Sequence, residues 1–146
     1  MRRVLAAFCC AASLLVWASV LLGAASNEEG ESVEEWVRTL TNLRESNIAL
    51  PMTENNLAVV FNLRDLPVLL KLTTRANEYA FNLFMNVDGR GMLIPSGFSC
   101  YVEDFMTFES SRRTHIFVKI RAVEINMPVW TTIEILENAL WGSPNP

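Results

Sequence analysis

The sequence predicts an α+β domain. Three observations carry that class. Ser/Thr-x-x-Glu motifs near both ends open segments with apolar residues at helical spacing. The stretch between them holds short apolar runs of period two, broken by Pro and Gly. Just over half of the 146 residues are apolar and 19% are charged, a balance that belongs to a folding globular chain.

The first residues are unlike the rest. Arg2 and Arg3 precede an apolar run from Val4 to Leu22, followed by Gly23, Ala24 and Ala25. A basic head, an apolar middle and a small-residue site are the parts of a secretory signal. Residues 1–25 are therefore read as a signal peptide cut after Ala25, and residues 26–146 as the domain. The competing reading is an uncleaved anchor, because the run approaches the ~20 residues that span a bilayer. Cleavage removes Cys9 and Cys10 and leaves Cys100 alone, so no disulfide within the chain can staple the mature domain. It also removes two cations and no acid, taking the net charge from −4 to −6. An acidic surface does not favour a polyanionic partner. No Asn-x-Ser/Thr acceptor occurs.

Ser32-Val33-Glu34-Glu35 is a capping box, and Val33, Trp36, Val37, Leu40 and Leu43 follow at helical spacing. This predicts a helix over 33–45. Residues 47–56, with Pro51, form a loop. Leu57, Val59, Phe61 and Leu63 share one face of a strand; Arg64 to Pro67 turn the chain; Val68, Leu70 and Leu72 form a second strand. Tyr79, Phe81, Leu83, Met85 and Val87 form a third, and Asp88-Gly89-Arg90-Gly91 a hairpin loop. Met92 to Ile94 return beside the third strand until Pro95. The expected product is an antiparallel meander of about four strands.

From Phe98 the period changes. Phe98, Tyr101, Val102, Phe105, Met106, Glu109, Arg112 and Arg113 recur at three and four, which predicts a helix over 99–115. Residues 116–125 also alternate, and an extended reading stays open there. Thr131-Thr132-Ile133-Glu134 is a second capping box, with Gly142 at a C-cap position and Pro144 beyond. A final helix is expected, although Val129 to Leu136 is rich in β-formers.

Three blocks resemble the ribosome-inactivating proteins, the family of ricin A chain-like rRNA N-glycosylases. In the first, the apolar stretch Val68–Leu72 leads into Asn77-Glu78-Tyr79 and a second apolar stretch. In the second, Glu109-Ser110-Ser111-Arg112 is similar to the family's catalytic helix, where two small residues separate Glu and Arg. In the third, Leu136-Glu137-Asn138 leads to Trp141-Gly142, as at the family's pocket floor. The resemblance covers the chain from about Val33 to Gly142. It implies a ribosome-inactivating fold shortened in the middle and at the C-terminus, with the sheet followed by a catalytic helix and a C-terminal helix.

The implied activity is removal of one adenine from a large-subunit rRNA loop, which inhibits translation in a toxin or plant-defence role. The base leaves its stack for a pocket. Tyr79 would stack on it, which is worth about 1–3 kcal/mol. Glu109 would stabilise the oxocarbenium-like sugar and Arg112 the departing adenine. At i and i+3 the pair shares one helix face. Trp141 would floor the pocket and Asn138 assist. The family's second stacking tyrosine has no counterpart between Ile94 and Phe98, and Tyr101 is the only other tyrosine. The implied partner is the ribosome, with no cofactor, no metal and no lectin chain. The implied location is secreted or endomembrane and vacuolar, or signal-anchored under the alternative.

Two rival readings remain. One is a secreted family member without catalysis. The other is an unrelated secreted β-rich binding module. Strand geometry over 98–125 would mark the second, with Glu109 and Arg112 on opposite faces of a sheet. A metalloenzyme is disfavoured, since His115 is the only histidine. Asp88 to Gly91 lacks the lysine of a phosphate-binding loop.

Overall fold

The computed structural model describes residues 29–141 apart from Thr53, with side chains from Val33 onward. The signal-peptide segment and the Gly142 cap lie outside the described residues. The chain divides into two compact units, Met1–Thr39 and Leu40–Pro146. Helix α1, Glu29–Ser46, runs across that division. It begins before the Ser32 motif, which therefore lies inside the helix and not at its start. Asn47, with φ of 51°, ends it in the left-handed region that Asn tolerates, and its N–H donates to the Leu43 carbonyl (3.1 Å).

The second unit is built on one six-stranded antiparallel sheet. Its strands are β1 (Leu50–Pro51), β2 (Leu57–Val60), β3 (Gly91–Ile94), β4 (Ser99–Glu109), β5 (Thr114–Ala122) and β6 (Pro128–Thr132). Their order is β1-β4-β5-β6-β2-β3. Helix α2 (Leu66–Thr74) and helix α3 (Glu78–Asn82), the latter continued by a π-turn over Leu83–Val87, lie between β2 and β3. Helix α4 (Ile133–Trp141) closes the described chain. The class is thus α+β with an antiparallel sheet.

Several elements differ from the sequence expectation. Leu66–Thr74 is a helix and not a strand. In Val-Leu-Leu-Lys-Leu nearly every position is apolar, so a period of two fits as easily as one of three or four. Pro67 in the first turn and the leucines, unbranched at Cβ, tip the balance to helix. Leu66 and Leu69 become buried and Lys71 stays in water. Tyr79–Val87 is also helical. Asn77 caps it by accepting the Ala80 N–H (3.0 Å), and Phe84 and Met85 are its buried residues. Asp88 to Gly91 therefore joins a π-turn to β3 and is no hairpin. β3 returns beside β2, with Leu57 opposite Ile94 and Val60 opposite Gly91.

The largest correction falls on 99–115, which is a β-hairpin arm and not a helix. β4 and β5 pair along their whole length, from Cys100 opposite Ala122 to Glu109 opposite Thr114. The register shifts between Val102 and Asp104, where Glu103 is the extra residue. This β-bulge adds one residue to the alternation. Cys100 and Val102 are followed by Phe105 at a spacing of three, and the sum imitates a helical period. The strand geometry that marks a β-rich module is the one the chain adopts. The open alternative at 116–125 resolves as extended, over Thr114–Ala122.

At the C-terminal end both readings hold in sequence. Pro128–Thr132 is a strand and Ile133–Trp141 a helix. The cap is Thr132, one residue later than the motif suggested: the Ile135 N–H donates to its Oγ1 (3.4 Å). Thr131 instead donates its hydroxyl to the Ala58 carbonyl (3.0 Å) in the buried sheet.

All four residues of β2 are buried, so this central strand is covered on both faces. On one face Ala58, Val60 and Phe117 pack against Leu66, Leu69, Phe84 and Met85 of the helical insertion. Asp65, buried just before α2, is held by an ion pair with Arg90, whose guanidinium also lies over the Phe84 ring (4.9 Å). Beyond Val102, β4 runs out of this core: no residue from Glu103 to Glu109 is buried.

Candidate functional site

The β4–β5 arm holds most of the exposed chemistry. Its tip is a tight turn over Ser110–Arg113. The Ser110 N–H donates to the Arg113 carbonyl (3.0 Å), and so does the Ser110 hydroxyl (2.8 Å). The Arg113 N–H returns a bond to Ser110 Oγ (3.3 Å). Serine suits this position because its short hydroxyl can bond both ways within one turn. Glu109 is the last residue of β4 and Arg112 lies in the turn; both are exposed. The one-helix-face arrangement expected of this pair is therefore absent.

The other candidates sit on separate elements. Tyr79 occupies the first turn of α3, 76% exposed. Asn138 and Trp141 belong to α4. Asn138 receives Asn55 Nδ2 on both its carbonyl (3.1 Å) and its Oδ1 (3.3 Å), which ties α4 to the loop before β2. Trp141 ends the described helix, 44% exposed. No hydrogen bond or ion pair joins Tyr79, Glu109 and Arg112 to one another. The five residues are thus spread over α3, the arm tip and α4.

Charged groups on the arm are largely engaged. Glu103, the bulge residue, pairs with Arg121 and lies 3.9 Å from Lys119. Arg121 also donates to the Asn126 carbonyl (3.1 Å) and Oδ1 (3.2 Å). Arg44, at the end of α1, reaches Asp104 (3.3 Å) and lies over the Phe105 ring (5.4 Å). At the base of α4, Glu134 stands 3.6 Å from Arg113 and 3.9 Å from His115. Buried His115 Nδ1 and Glu134 Oε2 have no hydrogen-bond partner. Burial, together with the neighbouring Glu134, pushes the Glu137 carboxyl above its ordinary range. Burial also pushes the Cys100 thiol up to about 12, with Glu124 adding to it. Such a thiol is no nucleophile.

Sequence reasoning did not single out the outer edge of β4. β5 pairs one side of the strand throughout, but β1 covers only Ser99 and Cys100 on the other. Among the described residues no strand flanks the remaining edge from Tyr101 to Glu109. Side chains there alternate between faces. Met106 (43% exposed) and Phe108 (51%) lie on one face, where the Phe108 ring stacks on Phe117 at 5.8 Å. Phe105, Thr107 and Glu109 lie on the other. Apolar residues on both faces of one strand were the available signal, and the helical period hid it.

Among the described residues, no group of three or more His, Cys, Asp or Glu could hold a metal ion. No described helix is long and apolar enough to cross a membrane. Comparison with protein-family models, curated proteins and solved structures finds no match to this chain.

Proposed function

We propose that this chain is a secreted β-rich binding module that takes up an extended peptide strand along the outer edge of β4. The observation that carries the reading is that edge itself, open from Tyr101 to Glu109 and flanked by exposed Met106 and Phe108. An unpaired edge presents a row of backbone N–H and C=O groups, and natural sheets guard such rows or use them. Added strands gain affinity from main-chain bonds and specificity from alternate side chains. Here the apolar pair on one face would select the side chains of the incoming strand.

A random peptide library displayed on phage, panned against the dilute wild-type chain and against Phe108→Lys, tests this. Enrichment of peptides with alternating apolar residues on the wild type alone supports the module. Equal recovery on both proteins sinks it.

The N-glycosylase remains a second reading, favoured by one observation: Glu109, at the end of β4, and Arg112, in the turn that follows, both stay exposed at the arm tip. It requires adenine release from purified ribosomes, and release that collapses in Glu109→Ala. The binding module predicts no release from either protein.

A further inference from the structure

Resting on the β4-edge reading, we propose that one strand this edge takes up is β4 of a second copy of the chain. The two pair antiparallel about a two-fold axis, with Thr107 facing Thr107. A two-fold antiparallel pair must place some residue opposite itself, and the side chains select which one.

With Thr107 at the axis, Met106 of each copy stands opposite Phe108 of the other. The exposed apolar side chains on that face then cover one another twice. On the opposite face Glu109 stands opposite Phe105 of the second copy. That ring already carries the Arg44 guanidinium at 5.4 Å. Each Glu109 thus meets an Arg44 from the other copy, and no like charges face each other, because Asp104 falls opposite Ser110. The neighbouring register centred on Met106 sets Glu103 opposite Glu109 and Asp104 opposite Phe108, which opposes like charges and leaves Phe108 without an apolar mate. The bulge at Glu103 lies inward of the five residues 105–109, so the paired segment is regular.

So short a pairing buries less than the roughly 1,200 Å² of a stable complex. The dimer is weak and forms at high local concentration. Sedimentation equilibrium of the full chain, carried up to about 1 mM so that even a weak transient pair is populated, reads it directly. The wild type shifts from monomer to dimer with concentration. Glu109→Arg, which sets two cations together, weakens the dimer about tenfold, and so does Arg44→Glu. Combining the two restores most of the loss. Met106→Lys keeps the wild-type circular dichroism spectrum and stays monomeric. A wild type that is monomeric at every concentration overturns the proposal, and so does a dimer indifferent to Glu109→Arg and Met106→Lys. A double variant weaker than either single overturns the register. Peptide capture is measured at dilution, where the chain is monomeric, so a monomer that still captures peptides refutes self-pairing alone.

Discussion

Gly91 is the position where adding one carbon should do most harm. It opens β3 opposite Val60, beside the helical insertion. A Cβ placed there would sit 2.7 Å from Met85 Sδ and closer still to the Val59 carbonyl oxygen. The sulfur ends a flexible side chain and can turn away. The carbonyl cannot, because it belongs to β2, which is buried on both faces and paired on both edges. Relief requires β3 to lift from β2, which disturbs the packing of Phe84 and Met85. Overpacking of this kind costs about 3 kcal/mol or more. For a domain of this size that lowers Tm by roughly 12 °C or more. Gly89→Ala is the control. Its φ of +61° strains any side chain, but nothing lies within 4 Å of its Cβ, so the cost is only about 1–2 kcal/mol. Urea unfolding followed by circular dichroism measures both. If Gly91→Ala unfolds at the same or higher urea than Gly89→Ala, the close approach of β3 to β2 is wrong.

Two further outcomes are expected. Glu137 has its folded carboxyl pushed above the ordinary range, chiefly by burial, so the native state binds its proton more tightly than the unfolded chain does. That linkage stabilises the fold at low pH and is lost as pH rises from about 4.5 through the raised value. Glu137→Gln should therefore raise Tm at pH 7 and leave it nearly unchanged at pH 4; an equal rise at both would show that the carboxyl is not destabilised by its setting. Cys100, with its thiol at about 12, should resist iodoacetamide at pH 8 in the folded chain and react at once in urea, as mapped by mass spectrometry. Rapid native labelling at Cys100 would place the thiol outside the core.

The helices at the two ends were legible because each announces itself with local chemistry. α1 carries its apolar stripe through Leu40 and Leu43, and α4 has a threonine at its cap. The middle was not legible in the same way. In Leu66–Thr74 the residues are so uniformly apolar that periodicity has no contrast. What decides is the tertiary surface offered by Ala58, Val60 and Phe117, the last of them far along the chain. Over Ser99–Glu109 the contrast is good but its phase is broken at Glu103, and nothing in a window of ten residues separates a bulged strand from a helix. The candidate site shared that fate. Glu109 and Arg112 were paired on the strength of a helical spacing, and the open β4 edge is a property of which strands neighbour it, set by sheet order and invisible to any local pattern.

The bulge at Glu103 also changes what a single deletion would do. In a regular strand, removing one residue turns over every side chain beyond it, because facing alternates with each residue. Here Glu103 stands outside that alternation: Val102 lies opposite Ile120, Asp104 opposite Lys119 and Phe105 opposite Val118, as they would if Glu103 were absent. Removing Glu103 would therefore straighten the arm and cost its pairing with Arg121, while Asp104, Met106 and Phe108 kept one side and Phe105, Thr107 and Glu109 the other. The strand thus carries one spare residue, and the surface beyond it tolerates the loss of that codon.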